Sequence, residues 1–281
     1  QWGLGQDDNG SLWYVNARGE RGPNTFQASP VYGVFNPTEQ FEIGFKEVFP
    51  AAGARDFQGG LGRVREPEGT LNGFTGCAGI DVYRGDQLPK DLLGNVFFGE
   101  PVGRLMRRAT VTMDGGMKVL SNPYQKDKGE FLRSTDLCFR PLNMTNAPDG
   151  TLYITDMYRG IIQEGAWVNP GSYLRKVVEQ YRFDKVTGRG RVWKLVHTTT
   201  QPVKQPRMYQ ETAAELTAHL SHRNGWWRDT AQRLLVLRQD FHAVHVALGH
   251  HRFREAALGP GGGCAALAFH RVAVDVVAAE A

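Results

Sequence analysis

Four times before residue 196, a turn bearing glycine runs straight into a short stretch of β-branched and aromatic residues. Asn9-Gly10 leads into Ser11–Val15, Gly94-Asn95 into Val96–Gly99, Pro148-Asp149-Gly150 into Thr151–Asp156, and Gly188-Arg189-Gly190 into Arg191–Leu195. Proline presets φ for a turn and glycine supplies φ > 0. The runs that follow have the length and residue types of strands. A chain punctuated in this way cannot build long helices there. It predicts short antiparallel strands joined by tight turns, and the 34 glycines fit that need. Strand follows strand at Val96–Phe98 and Gly103–Val111, as in the hairpins of propeller blades.

At 281 residues the chain is long enough for one large or two ordinary domains. Net charge is +4 with no dense Lys/Arg run, which argues against a nucleic-acid partner. No apolar run is long enough to span a membrane. The sequence opens at Gln1 directly into strand-like residues and reads as a piece of a longer protein. Cys77, Cys138 and Cys264 are widely spaced, without CxxC or CxxCH, so neither a zinc knuckle nor a covalently attached haem is encoded here.

Taken in order, residues 1–197 read as the β portion. Residues 16–68 are too apolar for disorder and too interrupted by proline for a long helix, and read as an ordered loop insertion. Residues 58–62 are glycine-rich but lack the ending of a phosphate loop. Residues 165–177 read as a second insertion, and residues 177–183 as either helix or strand. A polar linker follows at 198–209. Across 210–239 the apolar period changes to three and four, with Ala213, Leu216, Leu220, Trp227, Ala231 and Leu235 on it. That predicts two short helices broken at Ser221–Gly225, with Asn224 capping the second and His219 and His222 at the surface. From 240 to 281 the composition shifts abruptly, which reads as either a shifted reading frame or a divergent, disordered extension.

The densest chemistry lies in residues 131–160. Arg133, Asp136 and Arg140 precede the Pro148–Gly150 turn, and Asp156, Tyr158 and Arg159 end the strand after it. Charges beside an apolar element are costly unless paired. Two readings stay open: a polar binding site, or ion pairs that pin neighbouring loops.

Residues 79–89 with Leu93–Phe97 and Gly103–Leu105 resemble the soluble quinoprotein glucose/sorbosone dehydrogenase family. Residues 131–141 and 148–159 resemble its membrane-bound-dehydrogenase-like branch, and residues 221–234 the start of the HEAT region of that branch. The resemblance covers roughly residues 1–239. It implies a mainly β fold, the C-terminal blades of a partial six-bladed β-propeller, followed by a short HEAT-like helical segment. It also implies PQQ, calcium, a sugar or polyol substrate, a c-type cytochrome acceptor and a periplasmic or other extracytoplasmic location. On that basis Arg133, Arg140 and Arg159 are candidate clamps for the carboxylates of PQQ, because guanidinium groups bind carboxylates bidentately. Asp136 and Asp156 would orient those arginines or meet sugar hydroxyls, and Tyr158 would stack on a ring. Asp81, Tyr83, Arg84 and Asp86 form a second tier, with a hairpin role as the alternative. Ala78, Gly79 and Asp81 are a weak oxygen set for calcium. The catalytic base is unassigned, since no histidine occurs before His197. Cys77 and Cys138 adjoin the two motifs and are candidates for a disulfide. The rival reading is a non-catalytic propeller module that binds a glycan or a protein partner.

Overall fold

The computed structural model describes residues 3–15, 23–25, 45–51, 64–65, 67, 69–162 and 165–239. The abrupt tail at 240–281 and the glycine-rich stretch at 58–62 lie outside the described residues. The chain is mainly β with three α-helices among the described residues. Strands β1 (Leu4–Gln6), β2 (Leu12–Val15) and β3 (Pro23–Thr25) form a first antiparallel sheet in that order. β4 (Val64–Arg65) pairs with β5 (Thr70–Leu71), and Val48 bridges to Leu71. The second sheet runs β10 (Leu132–Arg133), β8 (Leu105–Asp114), β7 (Val96–Glu100), β6 (Ala78–Val82), with β9 (Met117–Ser121) on the far half of β8. The third sheet is β11 (Pro141–Asn146), β12 (Leu152–Asp156) and β13 (Arg191–Leu195). Each strand pairing is antiparallel.

The second sheet lies between the other two, and β7 shows why. All five of its residues are buried. Successive side chains of a strand point to opposite faces. Phe98 joins Trp13, Val15 and Ile80 in one core cluster, while Phe97 joins Met144, Leu152 and Ile154 in another. β6 touches β1 on one side and β11 on the other, so the first strands of the three sheets lie side by side. Gly79 makes that approach possible. Its φ is +63, and a Cβ there would meet the Leu142 carbonyl oxygen at 2.2 Å.

Sequence and structure differ at definite places. The insertion at 16–68 contains strands β3 and β4, and Phe45, Val48 and Phe49 enter the core; residues 16–22, 26–44 and 52–63 lie outside the described residues. Residues 165–183 are helical: a 3-10 turn at Gly165–Val168, then α1 (Tyr173–Tyr181), capped by the Ser172 side chain. Leu174 and Val178, four apart, put its apolar stripe on Phe183 and Cys138. Cys77 and Cys138 are both free and buried, in different core clusters, so the candidate disulfide is not formed.

The helix pair is α2 (Ala213–His219) and α3 (Gly225–Leu237). Thr212 and Glu215 form a reciprocal capping box on α2, and the Asn224 side chain caps α3. Asn224 is fully buried because it does a second job: its Nδ2 donates to the carbonyls of Ala147 (2.9 Å) and Pro148 (3.2 Å). Trp227 Nε1 donates to Pro148 at 2.7 Å. Arg84 donates twice to Asp229, at 2.7 and 2.9 Å, and its carbonyl accepts from Gly225 N–H. His219 and His222 are not simply surface residues. Both rings lie about 5 Å from the Trp227 ring, and His219 Nε2 bonds Glu211. No described helix is long and apolar enough to cross a membrane.

Candidate functional site

The 131–160 stretch divides into a buried half and an exposed half. The buried half is built on Arg140 and Asp156, each 2% exposed. Arg140 donates from Nε to the Arg159 carbonyl (3.0 Å), from Nη1 to those of Pro101 (3.0 Å) and Val102 (3.3 Å), and from Nη2 to that of Gly160 (3.1 Å). The Pro101–Arg104 turn is thereby held wholly buried, although turns ordinarily run over the surface. Asp156 accepts from Arg140 N–H and Tyr158 N–H at 2.8 Å each, and from Trp193 Nε1 at 3.0 Å. Desolvation lowers the Arg140 guanidinium to about 10, against neighbouring acidic groups that raise it. Its neighbour Arg104 is fully buried, and burial with the Arg140 charge lowers it to about 9.

The exposed half is a rim. Asp136 Oδ1 accepts from Cys138 N–H at 2.9 Å, which fixes the carboxylate on its loop. Burial and the nearby Asp136 carboxylate raise the pKa of the Tyr158 phenol. The Arg191 guanidinium carbon sits 3.4 Å from the centre of the Tyr158 ring and 5.6 Å from that of Trp193. The register of β13 against β12 explains the grouping: Arg191 stands opposite Asp156, and Trp193 opposite Ile154. Trp193 remains 43% exposed. Two residues here hold left-handed backbone without being glycine, Arg104 at φ 59 and Tyr158 at φ 44. Such strain costs on the order of 1–3 kcal/mol and persists where surrounding structure dictates it, often at functional sites.

Four of the six first-tier residues, Asp136, Arg140, Asp156 and Tyr158, therefore come together. Arg159 contributes its carbonyl while its side chain is exposed. Arg133 is not joined to them: it is exposed on β10, and its side chain donates to the Lys128 carbonyl at 3.4 Å. In the second tier, Tyr83 donates to the Gly150 carbonyl at 2.6 Å and accepts from Leu88 N–H at 2.8 Å, tying the hairpin to the Pro148–Gly150 turn. Gly150 has φ +77, as the turn requires. Arg84 holds the helix pair, and Asp86 is exposed beside Gly150. Sequence reasoning missed Arg191 and Trp193. Their only signal was a short strand after Gly190, thirty-five residues from Asp156; register alone brings them in.

The residues present do not fit the two groups that the resemblance implies. Calcium needs carboxylate or carbonyl oxygens turned toward the ion. Both oxygens of Asp81 already accept N–H groups, from Val82 (2.8 Å) and from Asn146 N and Nδ2 (3.1 and 3.0 Å), and burial raises this carboxyl to about 6. Gly79 packs on β11. For PQQ, Nε, Nη1 and Nη2 of Arg140 all donate to backbone carbonyls, which leaves no free pair of parallel N–H groups for a carboxylate, and Arg133 stands apart.

No curated protein and no solved structure matches this chain. Residues 1–199 match the family model described as Domain of unknown function (DUF7133), and the chain belongs to that family.

Proposed function

We propose that this chain is part of a sugar-dehydrogenase-like β-propeller and that its described residues bind a sugar or polyol at the Asp136–Tyr158–Arg191–Trp193 rim. The three antiparallel sheets read as consecutive blades of a six-bladed propeller. Their meander order and the side-by-side first strands β1, β6 and β11 support that reading. One observation carries the binding site: Tyr158 is held at φ 44 with its ring under Arg191, beside a half-exposed Trp193. A polyhydroxylated ligand needs a flat apolar surface together with fixed donors and acceptors. Trp193 supplies the surface, Asp136 accepts from hydroxyls, and Arg191 donates.

Sugar oxidation, with a periplasmic location and a cytochrome acceptor, rests on the resemblance alone. A hydride-removing reaction also needs a base for the hydroxyl proton, and none of the rim residues is placed as one. The binding reading is therefore the better supported of the two.

Titration of the purified chain with a panel of hexoses, pentoses and polyols, followed by Trp fluorescence and calorimetry, tests this. At least one ligand is expected to bind, and Asp136→Asn and Tyr158→Ala to weaken it tenfold or more with the melting temperature little changed. Equal affinity in wild type and both variants would sink the assignment. Dye reduction with added PQQ and calcium tests the oxidising alternative separately.

A further inference from the structure

The helix pair is fastened at the C-terminal ends of the side-by-side strands β1, β6 and β11, one fastening for each of the first three sheets. Arg228 donates to Asp8 just after β1, and Asp229 accepts from Arg84 just after β6. Asn224 and Trp227 donate to the carbonyls of Ala147 and Pro148 just after β11. The first two fastenings join arginine to aspartate, side chains that ordinarily keep their charge across pH 5–8. The third is flanked by histidines, the side chain that ordinarily changes charge in that interval.

Trp227 packs against two imidazole rings, His222 at 5.0 Å and 21° and His219 at 4.9 Å and 55°. The backbone N–H of Asn224 donates to His222 Nδ1 at 3.0 Å. A backbone nitrogen only donates, so this Nδ1 must be bare, and the ring neutral with its proton on Nε2. His219 is in the opposite case. Its Nε2 meets a Glu211 carboxylate oxygen at 2.8 Å, a contact that an imidazolium keeps. The surrounding charges set the sign for His222. Arg228 donates to the carbonyls of His222 and Arg223, and the His219 ring lies 6.3 Å away. Among the described residues no carboxylate bonds the His222 ring: Glu211 is engaged with His219, Glu215 with Thr212, Asp229 with Arg84, and Asp149 of the facing turn with Lys194. Asp81, which bonds Asn146 beside that turn, favours the folded state in acid and so works the other way. A proton on His222 Nδ1 removes the acceptor of the Asn224 N–H and sets a new cation beside Arg228. Stacking of the imidazolium on Trp227 opposes this.

We infer that His222 is an acid-sensitive latch: its protonation loosens the helix pair from the Ala147–Gly150 turn while the sheets stay folded. This inference does not depend on sugar binding.

Nitrogen NMR of the His222 ring and hydrogen exchange of the whole chain test it, with rates corrected for the intrinsic effect of pH. At pH 8 the His222 Nδ1 should be unprotonated and Nε2 protonated. Between about pH 8 and 5, protection of the Trp227 indole N–H and the Gly225 amide should fall about tenfold or more, while the amides of β7 keep theirs. His222→Asn keeps an acceptor in place of Nδ1 but cannot titrate, and should abolish the fall. His219→Gln keeps a donor for Glu211 and should leave the fall in place. A proton on Nδ1 at pH 8 overturns the inference, and that measurement needs no variant. Protection that is constant or rises in acid overturns it as well, since stacking on Trp227 would then outweigh the lost bond. So does an equal fall in His222→Asn, or a fall shared by the β7 amides, which would mark unfolding of the whole chain.

Discussion

Arg140 and Arg133 are seven residues apart in one motif, and the resemblance makes them equivalent clamps. Arg140 is buried and bonds four carbonyls from two loops, while Arg133 lies exposed and its side chain makes a long bond to the Lys128 carbonyl. The same contrast divides Asp156, sealed under Trp193 and two backbone amides, from Asp136 on the rim. The difference teaches that a cluster of charges in sequence can be two devices at once. The inner charges hold a buried turn in place. The outer ones stand on it and are available to a ligand.

The comparison breaks most visibly at Arg140. Arg140→Ala leaves three buried carbonyls, those of Pro101, Val102 and Gly160, without this donor, and is expected to destabilise the chain by about 3 kcal/mol or more, on the order of a 6–12 °C fall in melting temperature. Arg140→Lys should recover little, because an ammonium cannot span both loops. A loss under 1 kcal/mol in a denaturant titration would show that Arg140 is not the staple.

Asp81 gives the next effect, through pH. Burial is the main cause of its raised carboxyl, opposed by the amides of Asn146 and Val82 and by Arg84. The folded value of about 6 stands above the ordinary 3.8. The folded state therefore holds this proton more tightly, and the stability it contributes is present below 3.8 and lost as pH rises through 6. The loss amounts to roughly 2–3 kcal/mol. Between pH 4 and 7 the melting temperature of the wild type should fall relative to that of Asp81→Asn, so that the gap between them changes as pH rises; parallel profiles contradict this.

Asp229→Ala removes the bidentate partner of Arg84 and should loosen the helix pair at a cost of about 1–3 kcal/mol. Proteolysis near residues 198–206 offers a direct check, with faster cleavage expected in the variant.

Tyr158→Gly sharpens the contrast on the rim. Glycine accepts φ 44 without strain, so relief offsets lost ring contacts and stability should change by no more than about 1 kcal/mol. Sugar binding should disappear. Arg133→Ala sits at the small end, within about 0.5 kcal/mol of wild type.

Much of this was legible before any coordinates. The turn-and-strand pattern marked β2, β7, β12 and β13 to within a residue or two, because turn chemistry and β-branched runs act locally. The three-and-four period located both final helices, and Asn224 announced its cap for the same local reason. Site residues were legible only as a neighbourhood. Sequence could gather Asp136, Arg140, Asp156 and Tyr158 because they share one hairpin, but it could not rank their burial, which depends on the loops at 101–104 and 159–160 closing over Arg140.

By itself, then, the sequence determined where strands, turns and the helix pair begin, since those follow from each residue's own backbone preferences. Only tertiary structure decided which charges were sealed and which stayed open. It set β13 beside β12 so that Arg191 reached Tyr158 across a gap of more than thirty residues. Register and packing are properties of pairs of segments, and no single segment carries them.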